Sequence, residues 1–168
     1  EHQTVRTAVG AFDISHMGQF FVEGDQASEW LNGLLTNNVN RLQVGECQYT
    51  FLLNERGGVI DDLIVYRIGE KRYLLVVNAA KIEEDFTWMQ QHVVEDLDFR
   101  NASDEFYGIA IQGPRSVQLF DALFEGRHSL PARNQIATIE IDGTPLYIAR
   151  TGYTGEDGFE MFGVADRA

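Results

Sequence analysis

The chain has 168 residues and a mass of 19.0 kDa, and its 44% apolar and 11% aromatic residues are enough to build a core and too many for a disordered chain. Its 13 Lys+Arg stand against 26 Asp+Glu, a formal net charge of −13 that repels phosphate backbones and anionic lipid surfaces, so nucleic acid and membrane are excluded as partners. The single cysteine, Cys47, fits a reducing compartment, and no apolar run approaches the length of a membrane span.

Residues 1 to 8 are polar and read as the end of a helix or a linker. Val9 to Ile14 is a short apolar stretch, Ser15-His16-Met17-Gly18 breaks it as a bulge or turn, and Gln19 to Glu23 resumes as a strand. In the plainer reading His16 is a loop histidine and Met17 fills a gap. Gly24-Asp25 is placed to cap a helix whose Ala27, Trp30, Leu31, Leu34 and Leu35 recur at helical spacing. Thr36 to Gly45 is a polar loop.

Tyr49 to Leu53 and Val59 to Ile68 flank Gly57-Gly58, which can take positive φ without a Cβ penalty, and the three together predict a hairpin. Asp61 and Asp62 interrupt the second apolar run. Strand alternation puts Asp61 with Val59, Leu63 and Val65, and Asp62 with Ile60, Ile64 and Tyr66, so the two carboxylates point apart and do not form a close acid/base pair. The plainer reading leaves both solvated at a strand end or capping a turn.

Gly69-Glu70-Lys71 turns the chain into Tyr73 to Asn78. Ile82, Phe86, Met89 and Val93 predict a second amphipathic helix, and Glu83, Glu84 and Asp85 are read as negative charge at its N-terminal turns rather than as a metal site. Asp98 to Asn101 and Phe106 to Gln112 are strands. Gly113-Pro114 opens a third helix with Val117, Phe120, Leu123 and Phe124 inward, and Arg127 to Arg133 is a loop. Gln135 to Ile141 and Leu146 to Arg150 flank the turn pair Asp142-Gly143, and a glycine-rich loop from Thr151 leads into Phe159 to Phe162. Hairpins among interleaved helices give an α+β class with mostly antiparallel sheets.

A phosphate loop, a nucleophile elbow and a dinucleotide fingerprint are absent. His2, His16, His92 and His128 lack metal-ligand spacing, so no metal is expected. There remain Asp62, the Ser-His-Met break and a Gly-Tyr-Thr-Gly-Glu loop ending in Glu160.

Together these resemble the aminomethyltransferase, or T-protein, family of the glycine cleavage system, within a folate-binding superfamily that includes sarcosine and dimethylglycine dehydrogenase domains. The resemblance runs in order through Phe12-Asp-Ile-Ser-His-Met-Gly18, Leu35-Thr-Asn-Asn-Val39, Gly57-Gly-Val-Ile-Asp-Asp-Leu-Ile-Val-Tyr66, Val77-Asn-Ala79, Ile111-Gln-Gly-Pro114 and Thr151-Gly-Tyr-Thr-Gly-Glu-Asp-Gly158. It implies a clover-leaf folate-binding architecture and transfer of an aminomethyl carbon from the lipoyl sulfur of H-protein to tetrahydrofolate, with release of ammonia. It further implies Asp62 as the catalytic aspartate, desolvated by Ile60 and Ile64, and Glu160 as the carboxylate that holds the pterin. Tyr153 and Tyr49 would pack around the ligand, Met17 would form an apolar wall and Asn78 a polar contact, although core packing also explains Met17, Tyr49 and Asn78.

The chain opens without a methionine and stops at Val164-Ala165-Asp166-Arg167-Ala168 without a closing element, so residues 1 to 168 read as a fragment that lacks the family's C-terminal barrel. Such a piece is expected to bind folate weakly and not to turn over alone. The resemblance implies a cytoplasmic protein, or a mitochondrial-matrix one in a eukaryote. Two other readings share the pocket: a non-enzymatic folate-binding protein of iron-sulfur cluster maintenance, and the folate domain of a demethylating flavoprotein.

Overall fold

The computed structural model describes residues 1–165; the expected lack of a closing element at Asp166 to Ala168 lies outside the described residues. In chain order the elements are α1 (His2–Thr7), β1 (Gly10–Asp13), β2 (Gly18–Glu23), α2 (Ala27–Leu34), a 3-10 turn (Val39–Arg41), β3 (Cys47–Leu53), β4 (Val59–Gly69) and β5 (Arg72–Val77). A second 3-10 turn (Ala79–Lys81) leads into α3 (Ile82–Gln90), and β6 (Asp98–Asn101), β7 (Phe106–Gln112), α4 (Ser116–Leu123), β8 (Ile136–Ile141), β9 (Thr144–Ala149) and β10 (Gly158–Val164) follow. Every strand pairing is antiparallel, as the hairpin signals predict.

The chain divides into two compact units, one from His16 to Ser103 and one from Glu1–Ser15 with the chain from Asp104 onward. The Ser15-His16 break is therefore the point at which the chain leaves one unit for the other.

The central unit holds a sheet of order β3-β4-β5-β2-β6. Alternate residues Phe20, Val22, Leu63, Val65, Leu75 and Val77 gather on one face, where α2 contributes Ala27, Trp30 and Leu31 and α3 contributes Met89. The β3–β4 hairpin closes through Asn54, whose side-chain oxygen accepts from the backbone N–H of Arg56 and of Gly58, both at 3.0 Å. Gly57 there has φ of 77°.

The register of this hairpin slips between Leu52 and Leu53, which pair with Asp61 and Val59 and leave Ile60 as an extra residue. The slip corrects the expected alternation: Ile60 joins Leu63 and Val65 in the helix-side core instead of sharing a face with Ile64. Asp62 therefore has Ile64 but not Ile60 on its own face.

The helix start at Gly24-Asp25 is corrected too. Gln26 is the N-cap and makes no side-chain cap bond, whereas Gly24 (φ 147°) is required by close approach, since a Cβ there would lie 2.9 Å from the Asp96 carbonyl oxygen.

The second unit holds a sheet of order β1-β7-β10-β9-β8, with α4 burying Phe120 against Ile111, Ile148 and Phe159. Asp142 and Gly143, both at positive φ (50° and 77°), form the turn of the β8–β9 hairpin. Val117 and Leu123, expected inward, are exposed, because the eight-residue α4 presents Ser116 and Phe120 to the core and those two positions fall off that stripe. No helix among the described residues is long and apolar enough to cross a membrane.

Candidate functional site

The central unit brings Tyr49, Asp62 and Asn78 into direct contact. Tyr49 stands opposite Ile64 and Phe51 opposite Asp62 in the β3–β4 ladder, so these side chains share one face. The Tyr49 hydroxyl donates to Asp62 Oδ2 at 2.8 Å. That bond, with a smaller contribution from the Asp62 and Asp61 charges, holds the phenol above its usual titration range, so Tyr49 stays a donor at neutral pH.

Asn78 follows β5 directly, and its Nδ2 donates to Asp61 Oδ1 at 2.8 Å, to the Asp62 backbone oxygen at 3.0 Å and to Asp62 Oδ1 at 3.3 Å. The register keeps Asp61 and Asp62 on opposite faces, as alternation requires, yet one amide reaches both. Asp62 is half-buried with both side-chain oxygens engaged, while the Tyr49 ring remains 46% exposed. Ile64 is buried on the same face and Met17, just before β2, is half-buried.

Asp61 and Asp85 are further members of this cluster. Asp61 is buried at 6% exposure and accepts from the Asn78 backbone N–H at 3.1 Å as well as from Nδ2. Asp85 is fully buried, neither of its oxygens meets a donor among the described residues, and burial first and the neighbouring Asp61 second push its carboxyl up to about 8. The sequence reading placed Asp85 with Glu83 and Glu84 as helix-terminus charge. Glu83 and Glu84 are exposed first-turn charges as expected, Glu84 pairing with Lys81 at 2.7 Å. The missed signal is periodic, since Asp85 precedes the buried Met89 by four residues and so shares its stripe.

Glu160 and Tyr153 belong to the other unit. Glu160 lies within β10, opposite Ala110 of β7 and Ala149 of β9, and is 7% exposed. The Thr151 hydroxyl donates to its Oε2. Gln112, at the end of β7, is buried and spans the glycine loop: its Nε2 donates to the Thr151 oxygen at 3.0 Å and its Oε1 accepts from the Thr154 hydroxyl at 2.8 Å.

Arg150 then grips Asp157 with two parallel bonds, Nε to Oδ1 at 3.1 Å and Nη2 to Oδ2 at 2.7 Å, which holds the Asp157 carboxyl below its usual range. The loop is thus held at both ends, and Tyr153 at its tip is 70% exposed. Thr151 and Gln112 lie in two of the stretches that carry the family resemblance, but the sequence assigned neither a role.

Two clefts, of about 250 Å³ beside Tyr107 and Pro145 and about 340 Å³ beside Gly33 and Trp88, include none of these residues. Among the described residues no group of histidine, cysteine, aspartate and glutamate could hold a metal ion.

Over residues 1–168 the sequence matches the model of the GCVT N-terminal domain. The chain belongs to that family. It is 42% identical over 163 residues to an aminomethyltransferase of Listeria innocua, covering 96% of this chain and 45% of that protein. It is 44% identical to an aminomethyltransferase of Bacillus cereus, again over 96% of this chain and 44% of the relative. The fold matches the crystal structure of glycine cleavage system aminomethyltransferase T from Bartonella henselae with a TM-score of 0.84 and 37% identity, over 96% of this chain and 43% of that one. A heterotetrameric sarcosine oxidase chain from Corynebacterium shares the fold alone, at a TM-score of 0.66 and 16% identity over 98% of this chain and 82% of that one. The chain therefore spans less than half the length of the curated relatives it matches.

Proposed function

We propose that this GCVT domain chain provides the tetrahydrofolate site of an aminomethyltransferase acting with lipoylated H-protein. The reaction converts a lipoyl S–CH2–NH2 group and tetrahydrofolate into methylenetetrahydrofolate, ammonia and the free lipoyl thiol. The carbon forms bonds to two folate nitrogens, its C–N and C–S bonds break, and the two folate N–H protons pass to the departing amine and sulfur. Asp62 is the group that takes part in this proton traffic. An anionic carboxylate beside the attacking nitrogen orients it, relays its proton and stabilises the iminium-like cation that forms when ammonia leaves.

The observation that carries the proposal is the Tyr49–Asp62–Asn78 contact in a chain of this family, with the carboxylate fixed by two different donors beside a half-exposed aromatic ring. Glu160 is proposed to accept the paired N–H donors of the aminopyrimidine edge, a role suited to a carboxylate held by Thr151. In the central unit Tyr49 would cover a flat ring and Met17 and Ile64 would supply apolar wall, and in the other unit Tyr153 is proposed as a ring-covering residue. Asn78 serves as the polar contact beside Asp62.

The test is tetrahydrofolate-dependent ammonia release from aminomethylated H-protein by the natural-length protein. Asp62→Asn is expected to lower the rate about a hundredfold or more with tetrahydrofolate still bound. Binding of folate by the wild type without ammonia release would overturn the transferase reading and favour a folate-dependent demethylase or a non-enzymatic folate-binding protein.

A further inference from the structure

Asp61 and Asp85 are two buried carboxyl groups close enough to act on one another, one from β4 and one from α3. Two carboxylates cannot face each other in a low-dielectric interior without a proton between them. The remaining partners say which one carries it. Each Asp61 oxygen accepts from Asn78, Oδ2 from the backbone N–H and Oδ1 from Nδ2, so Asp61 is the acceptor throughout. Neither Asp85 oxygen is reached by a donor from any other described residue, which leaves Asp85 free to use its own O–H toward Asp61.

We propose that Asp61 and Asp85 form a one-proton carboxyl pair that acts as a positioning unit for the Asp62 site. Asp85 donates to Asp61, and Asp61 holds the Asn78 amide in the orientation that presents Nδ2 to Asp62. The unit spans both faces of the sheet, because Asp61 and Asp85 meet on the helix side while Asp62 faces the other way with Tyr49. The importance of the arrangement to the reaction rests on the function proposed above; the pair itself does not.

Three other groups act on Asp85. Glu84 on its own helix and the Asp61 charge favour keeping the proton, and Lys81 in the preceding 3-10 turn opposes it. Burial adds to the first two, and the balance leaves Asp85 protonated at neutral pH. When it ionises, Asp61 meets a second negative charge and its grip on Asn78 slackens. The consequence is an alkaline limb in folate binding that originates at a residue with no proposed contact to the ligand.

The experiment is a pH titration by nuclear magnetic resonance of the natural-length protein, following the Asp85 carboxyl carbon and the Asn78 side-chain nitrogen. The wild-type titration needs no altered protein, and Asp85→Asn and Asp61→Asn identify the signals. Both nuclei are expected to step together near the pH of about 8 at which Asp85 loses its proton. In Asp85→Asn, which keeps a donor but cannot ionise, the Asn78 step should vanish. Tetrahydrofolate affinity should weaken about tenfold across the step in the wild type, the value of one hydrogen bond to a charged group, and not in Asp85→Asn.

An Asp85 carboxyl that titrates in the ordinary carboxylate range, or an Asn78 signal indifferent to it, would overturn the proposal. So would an affinity that is flat across an observed step. Coupled steps in a protein that binds no folate at any pH would instead uphold the pair and bring down the functional reading.

Discussion

The Tyr49 hydroxyl donates to Asp62 Oδ2 at 2.8 Å across the β3–β4 hairpin, so the phenol and the carboxylate form one unit rather than two separate pocket residues. In Tyr49→Phe the ring remains and only the donor is lost. We expect the rate of ammonia release to fall about tenfold and thermal stability to change little, since the bond is open to water. Steady-state kinetics beside calorimetry would check this, and an unchanged rate would mean that Tyr49 only packs.

A second expectation concerns Glu160. Thr151→Val preserves shape and removes the hydroxyl that donates to Oε2. Tetrahydrofolate affinity should fall about tenfold, corresponding to about 1.4 kcal/mol, with a smaller effect on the rate at saturating folate. Equilibrium binding of wild type and variant gives the answer directly.

The buried Asp85 predicts how stability varies with pH. Its folded value of about 8 lies above the ordinary carboxylate value of 3.8, so the folded state binds a proton that the unfolded chain releases. That contribution is complete below about pH 4 and is lost progressively as pH rises toward 8, so stability from this group falls with increasing pH. In Asp85→Asn the downward slope between those limits should flatten. Denaturant titrations at several pH values would reveal it, and parallel curves for the two proteins would refute the buried proton.

Asp157 predicts the opposite sign. Arg150 holds its carboxyl below the usual range, so its contribution is present at neutral pH and disappears as pH falls through the depressed value. Asp157→Asn should therefore loosen the glycine loop at pH 7 and make little difference in strong acid. Proteolysis within residues 151–157, compared at the two conditions, is a suitable readout.

Gly113 is a glycine whose replacement should be costly. It has φ of 137°, and a Cβ would lie 2.8 Å from the Val5 oxygen and 2.9 Å from the Val9 Cα, neither of which can rotate away. Gly113→Ala is expected to destabilise by about 3 kcal/mol, combining left-handed strain with overpacking, and chemical denaturation would measure it.

How far these features could be read from sequence depends on their range. The Asp142-Gly143 and Gly57-Gly58 turns were legible because positive φ is a local demand met by particular residues. The antiparallel class followed from those turns. Ile60 was misplaced because a bulge is set by the partner strand and leaves no mark on alternation within its own strand. Val117 and Leu123 were misplaced because apolar character alone does not distinguish a helix's core stripe from its flank. Asp62 stood out as a carboxylate in an apolar run, and the family resemblance marked it further. Asp85, hidden among acidic neighbours at a helix start, was marked in the sequence by its four-residue spacing to Met89, while Asp61, which acts on it, is distant in sequence and adjacent in space.

The division of the chain bears on the order in which it can fold. The unit from His16 to Ser103 is one unbroken stretch and can close as soon as it has left the ribosome. Strand β1, made before it, has its partner β7 only after Phe106 has been synthesised. Through all that time its four residues are without their β7 partner, an unpaired strand open to stray pairing.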